Sequence, residues 1–133
     1  MKILFADESD LIRYSTLLLV EQSLIKASIT ETRSYAELIE SLRTEFYDFI
    51  FINIDLLPPP SLASLKSIKR LSKTSRIILV VSNRTSLGIM QQLSKLAFGI
   101  LDLGGDFEKQ KQLVFHYLMY GDSYLGPNKT LAK

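Results

Sequence analysis

Asp7 and Glu8 follow the apolar run Lys2-Ile3-Leu4-Phe5-Ala6, and Asn53 ends a second run, Asp48-Phe49-Ile50-Phe51-Ile52. Runs this short and this apolar read as buried strands. If the two strands are neighbours, Asn53 faces the acidic pair. Carboxylates gathered at strand ends are ligands for a hard divalent cation, and a third acid there would complete a phosphate-accepting, metal-binding pocket. The third position holds an amide, which is a very poor nucleophile and offers no negative charge to a cation. Ser82 closes a further apolar run, Ile77 to Val81, and brings a hydroxyl to the same end of the sheet; Asp55 lies two residues beyond Asn53.

Composition narrows what such a site can serve. The 133 residues make one domain's worth of chain, with 47% hydrophobic and 23% charged side chains, the balance of a soluble globular protein. A net charge of +2 gives no bulk argument for nucleic acid. There is no cysteine, which removes disulfides, thiolate metal sites and thiol redox chemistry. The N-terminus enters a strand by Lys2 without the charged and apolar regions of a signal peptide. No uncharged apolar run approaches the roughly 20 residues that cross a bilayer. The expectation is a cytoplasmic protein with no membrane contact.

The elements that must position these residues alternate along the chain. Strand-like runs are Ile3-Ala6, Ser28-Arg33, Phe49-Asn53, Ile77-Val81 and Gly99-Leu101. Three of them are apolar with little alternation, as parallel strands covered on both faces are, and Ser28-Arg33 is the weak one. Between them, Asp10 can cap a helix to about Lys26, and Ser34-Tyr35-Ala36-Glu37 is a capping box ahead of the stripe Tyr35, Leu38, Ile39 and Leu42. Pro58-Pro59-Pro60 forbids helix entry before Ser61, a good N-cap. Behind it Leu62, Leu65, Ile68 and Leu71 form a buried face, with Lys66, Lys69, Arg70 and Lys73 outward. A fourth helix runs from Ser86 to Ala97. A fifth runs from Asp106 to Tyr120, with Leu113, Val114, Tyr117 and Leu118 inward. Five βα units with right-handed crossovers give an α/β, doubly wound, five-stranded parallel sheet with five helices on its two faces. Such sheets place sites beyond the carboxyl ends of their strands, where Asp7, Glu8, Asn53, Asp55 and Ser82 collect.

With those residues in place, the chain resembles the receiver domain of two-component response regulators over essentially its whole length, in an atypical, pseudo-receiver form. The opening strand and acidic pair match Lys2 to Glu8. Counting from Tyr47-Asp48 puts the phosphoacceptor position on Asn53, and Ser82 matches the hydroxyl that closes the fourth strand. The Gly-aromatic-Leu run and the lysine after the fifth strand fall on Gly99-Ile100-Leu101-Asp102-Leu103, so the aromatic switch position holds Ile100 and the lysine position Leu103. Gly121-Asp122-Ser123-Tyr124-Leu125-Gly126-Pro127 resembles the segment that precedes a helix-turn-helix domain in LuxR/NarL-type transcription regulators.

The resemblance implies a flavodoxin-like sheet of order 2-1-3-4-5, a receiver domain over residues 1–122 and a linker or tail over 123–133. It also implies Asp7, Glu8 and the Asp55 carbonyl as Mg²⁺ ligands, with Ser82 and Ile100 as the switch. Asn53 for the acceptor and Leu103 for the lysine are consistent losses, since without a phosphoryl group the lysine has no partner. Mg²⁺ binding is then expected to be weak or absent, with no other cofactor, and the Asn53 amide can donate to one of the acids. The expected role is signal transduction by protein contact rather than catalysis. The contacts are a homodimer through the fourth helix, fifth strand and fifth helix, a histidine kinase or an output domain, with DNA reached only through a further domain.

Two alternatives stay open. Counting back from Pro59 makes Asp55 the phosphoacceptor of a working receiver, although Asp55 should lie in the loop beyond the strand. A vacated pocket could instead hold a small-molecule ligand. Elsewhere, His116 reads as a partly covered helix residue and the lysines of the third helix as a solvated face, with no aromatic residues among them. Phe115, Met119 and Tyr120 lie off the main stripe of the last helix and suit either core extension or a partner.

Overall fold

The computed structural model describes residues 1–23, 25–81 and 87–120, the side chains of Leu87 and Tyr120 excepted. Five strands, β1 (Lys2–Ala6), β2 (Ser28–Thr32), β3 (Phe49–Asn53), β4 (Arg76–Val81) and β5 (Gly99–Asp102), form one parallel sheet in the order β2-β1-β3-β4-β5. The helices are α1 (Asp10–Gln22), α2 (Tyr35–Thr44), α3 (Ser61–Leu71), α4 (Leu87–Ser94) and α5 (Phe107–Tyr120), with a 3-10 turn at Ile54–Leu56. This is the flavodoxin-like order the resemblance implies.

Strand alternation divides the core in two. Leu4, Ala6, Ile50, Ile52, Ile77 and Leu79 pack with Leu38, Leu65, Ile68 and Leu93, placing α2, α3 and α4 on one face. Ile3, Phe5, Phe49, Phe51, Ile78 and Val80 pack with Leu19, Val20, Val114 and Tyr117, placing α1 and α5 on the other. Each of the larger aliphatic and phenylalanine side chains is worth about 1.5–3 kcal/mol when fully buried, and this term, rather than helix propensity, holds the helices in place.

Helix ends refine the sequence reading. Ser9, not Asp10, caps α1 by accepting from the Ile12 N–H at 3.3 Å. Asp10 is the first helical residue, where its charge suits the helix dipole. In α2, Ser34 accepts from the Glu37 N–H at 3.1 Å as the capping box requires, while the Glu37 carboxylate accepts from Arg33 N–H at 3.2 Å rather than from Ser34. Pro60 occupies the cap position of α3 without a side-chain bond, and Ser61 is helical. Leu71, placed on the buried face by its spacing, is 41% exposed because α3 ends there. The described part of α4 begins at Leu87, so the expected start at Ser86 lies outside the described residues.

One contact fixes the far edge. Tyr117 is fully buried, and its hydroxyl accepts from the Ile100 N–H at 3.1 Å and donates to the Ile100 carbonyl at 3.2 Å. Next to it Gln110 Oε1 accepts from the Asp102 N–H at 3.0 Å. The Tyr117 ring fills the space over Gly99 so closely that a Cβ there would stand 2.3 Å from its Cζ.

Candidate functional site

β1 and β3 are adjacent, with Ala6 opposite Ile52. Asp7 therefore leaves the sheet beside Asn53, the last residue of β3. The Asp7 N–H donates to the Thr32 carbonyl at 3.1 Å, which ties the turn to the end of β2. Both side chains are buried, Asp7 at 5% and Asn53 at 4% exposure. Asn53 Nδ2 donates to Asp7 Oδ2 at 3.0 Å, and the Ser9 N–H donates to Asp7 Oδ1 at 2.9 Å. The other end of the amide accepts from the Asp55 N–H at 2.9 Å and so caps the 3-10 turn. A backbone donor on Oδ1 and a carboxylate on Nδ2 fix the amide's orientation, since the reverse would oppose donor to donor and acceptor to acceptor.

Burial pushes the Asp7 carboxyl above its usual range, and the Ser9, Asn53 and Arg13 interactions offset only part of that rise. A carboxyl raised in the folded state favours folding when protonated and disfavours it as the pH rises through its folded value. Replacing Asn53 by alanine removes a donor that lowers Asp7, so it should destabilise most where the Asp7 carboxyl carries its charge, at the higher end of the pH range. The gap between variant and parent in thermal unfolding should then narrow as the pH falls toward about 4. A gap that widens on acidification would show that Asn53 does not act through the Asp7 charge.

Arg13 is a member of this cluster that the sequence reading passed over. It is 5% exposed and lies on the buried face of α1 with Thr16, Leu19 and Val20. Nη1 donates to the Asp7 carbonyl at 2.9 Å, Nε to Glu31 Oε1 at 2.7 Å, and Nη2 to Asp10 Oδ1. Burial would lower its pKa, but the bonds to Glu31 and Asp10 outweigh this and raise it. Its signal in the sequence was a polar residue at i−3 and i−6 from Thr16 and Leu19, on a stripe otherwise turned to the core. The space that Arg13 shares with Asp7, Asn53, Thr16, Phe5 and Phe51 closes so tightly that it leaves no room for a water molecule.

The remaining candidates are spread out. Glu8 and Asp55 are exposed, and among the described residues no three carboxylate or imidazole groups converge as a metal site. A divalent cation needs oxygen atoms turned toward it. Here the Asn53 N–H group points at one Asp7 oxygen and a backbone N–H at the other, so this donor set does not fit Mg²⁺. Asp55 sits in the 3-10 turn beyond β3, in the loop as its position predicts. Leu103 packs against the α1–α5 side of the core, and Ile100 is half-buried in β5. His116 is half-buried on α5. Ser82 and the Gly121–Pro127 segment lie outside the described residues.

No family model and no curated protein matches the sequence. Solved structures do match. The isolated REC domain of RcsB from Salmonella enterica serovar Typhimurium, determined with the phosphomimetic BeF3−, superposes with a TM-score of 0.80 at 18% identity over 98% of this chain and 96% of its own. A LuxR-family two-component response regulator from Aurantimonas sp. SI85-9A1 gives 0.75 at 16% identity, over 98% and 92%. The chemotaxis response regulator CheY4 of Vibrio cholerae gives 0.67 at 16%, over 85% and 94%. At these identities the likeness is one of fold, and the fold is that of response-regulator receiver domains.

Proposed function

We propose that this chain is a degenerate receiver domain that signals by protein contact and does not accept a phosphoryl group on aspartate. The observation that carries this is the hydrogen bond from Asn53 to Asp7, an amide closed onto the buried acid at the strand end where receivers hold their acceptor. A nucleophile must be free to meet the phosphoryl donor with its charge neutralised; this amide is buried, has both ends engaged and is not nucleophilic. Leu103 in the core supports the same reading, since an alkyl side chain there cannot bind a phosphoryl oxygen. Asp55 is exposed and outside the buried cluster, and only its spacing from Pro59 favours it as a substitute acceptor. Among the described residues, the space beside Asp7 and Asn53 leaves no room for a ligand.

The partner surface on this reading is α4, β5 and α5, where Ile89, Phe115 and Met119 are 43%, 39% and 53% exposed. It would serve a second copy, a kinase or an output domain of the LuxR/NarL type, in transcription control in the cytoplasm. Among the described residues no helix is long and apolar enough to cross a membrane.

One experiment reads both parts. The protein is incubated with Mg²⁺ and a small phosphodonor, then followed by intact mass and by light scattering across concentration. No phosphoryl gain, with association that needs no phosphodonor and is lost in Phe115→Glu/Met119→Glu, is expected. A gain of one phosphoryl group that disappears in Asp55→Ala overturns the first part, and a monomer at every concentration removes the homodimer.

A further inference from the structure

Every charged residue between Asp55 and Asp102 is a lysine or an arginine. The net charge of +2 conceals this, because the acids are concentrated in the first 55 residues. The fold gathers Lys69, Arg70, Lys73, Arg76 and Lys95 at the amino ends of β3, β4 and β5, the pole of the sheet opposite Asp7 and Asn53. Two grooves open there, side by side. One, of about 410 Å³, lies between the carboxyl ends of α2 and α3 and is lined by Arg43, Phe46, Arg70, Lys73 and Thr74. The other, of about 370 Å³, runs on from Lys73 and Thr74 to Lys69, Arg76 and Lys95.

Lysines and arginines in the last turn of a helix offset its dipole, which accounts for Lys69 and Arg70 on α3. It does not account for Lys73 in the following loop or Arg76 at the start of β4. Among the described residues Arg70, Lys73, Arg76 and Lys95 form no salt bridge; the one acid lining either groove, Glu45, pairs with Lys2 at 3.7 Å. The first groove also exposes an aromatic ring, Phe46, at 53%. In the second, the Arg76 guanidinium lies 5.3 Å from the Phe98 ring. The sequence reading found no aromatic residue among the α3 lysines, because Phe46 comes from the α2–β3 loop.

We infer that the two grooves form a single-stranded nucleic acid site, with Arg70, Lys73, Arg76 and Lys95 on the phosphates and Phe46 as a base platform. Cationic grooves with exposed rings recognise single strands by backbone charge and stacking, without sequence preference. A bilayer surface is flat, whereas these cations line concave grooves. A duplex is read by a protruding helix or ribbon that enters its groove, and this surface is concave. The inference stands apart from the state of Asn53.

Fluorescence anisotropy with a labelled 15-residue oligo-dT tests it. Binding should weaken about 50-fold between 50 and 200 mM salt if about four phosphates are contacted. Arg70→Ala/Lys73→Ala/Lys95→Ala should abolish it, whereas Lys26→Ala/Lys109→Ala/Lys111→Ala, equal in charge removed, should retain it. Phe46→Ala should weaken the single strand about fivefold or more and leave binding of a duplex of the same length unchanged. No binding, equal loss in both triple variants, or tighter binding of the duplex, of polyphosphate, of polyglutamate or of anionic vesicles overturns the inference.

Discussion

Asn53→Asp should destabilise the protein by about 3 kcal/mol at pH 7 in the absence of divalent ions, the sum of a lost hydrogen bond to a charged group and the repulsion that replaces it. The new carboxylate keeps the bond from the Asp55 N–H, because one oxygen still accepts it. Its other oxygen would face Asp7 Oδ2 at the 3.0 Å now spanned by an N–H donor. Both groups are almost fully buried, so solvent screens little of this repulsion. For a domain of this size the loss corresponds to a fall in Tm of roughly 10 °C. Millimolar Mg²⁺ should recover much of it in Asn53→Asp and leave the parent unmoved, because a third acid supplies the oxygen that the amide lacks. Equal Tm values for variant and parent in EDTA would mean that the amide–carboxylate bond does not stabilise this end of the sheet.

Gly99→Ala should be about as damaging, at roughly 3 kcal/mol from overpacking and broken hydrogen bonds together. Its Cβ would stand 2.3 Å from Tyr117 Cζ and 2.5 Å from the hydroxyl oxygen, closer than atoms can approach. The ring has nowhere to go. Tyr117 is fully buried and lies edge-on to Phe98 with centroids 5.8 Å apart. Any shift also breaks both bonds from its hydroxyl to Ile100. Truncating the ring in the double variant Gly99→Ala/Tyr117→Leu should restore part of the loss, so the two changes should combine less than additively in chemical denaturation. A single variant within about 0.5 kcal/mol of the parent would show the ring to be free to move.

These two sites also mark how far the sequence could be read. The apolar runs of β1, β3 and β4 fixed those strands, because parallel strands buried on both faces leave no other pattern, whereas the polar edge strand β2 showed only weakly. Asn53 could be placed opposite Asp7 for the same reason: strand ends in such a sheet converge. Arg13 was invisible because a single polar residue on an apolar stripe has no fixed meaning until Asp7, Asp10 and Glu31 stand around it. Leu71 misled because spacing alone does not say where a helix stops. Phe46 and the cations of α3 and β4 come from separate segments, and only the fold makes them neighbours.

The bonds from Tyr117 and Gln110 have a consequence for how this sheet can meet another molecule. The Leu103 N–H goes to Val81 of β4, so by alternation Ile100 and Asp102 turn their backbone groups to the open side of β5. The Tyr117 hydroxyl takes both groups of Ile100, Gln110 takes the Asp102 N–H, and the Gly105 N–H takes the Asp102 carbonyl. An outer strand is ordinarily a template on which a foreign strand can pair. Here α5 has sealed it from within, so recognition by strand addition and sheet-to-sheet aggregation along β5 are both closed to the native protein. Loosening Tyr117 would cost more than stability: it would unmask a sticky margin.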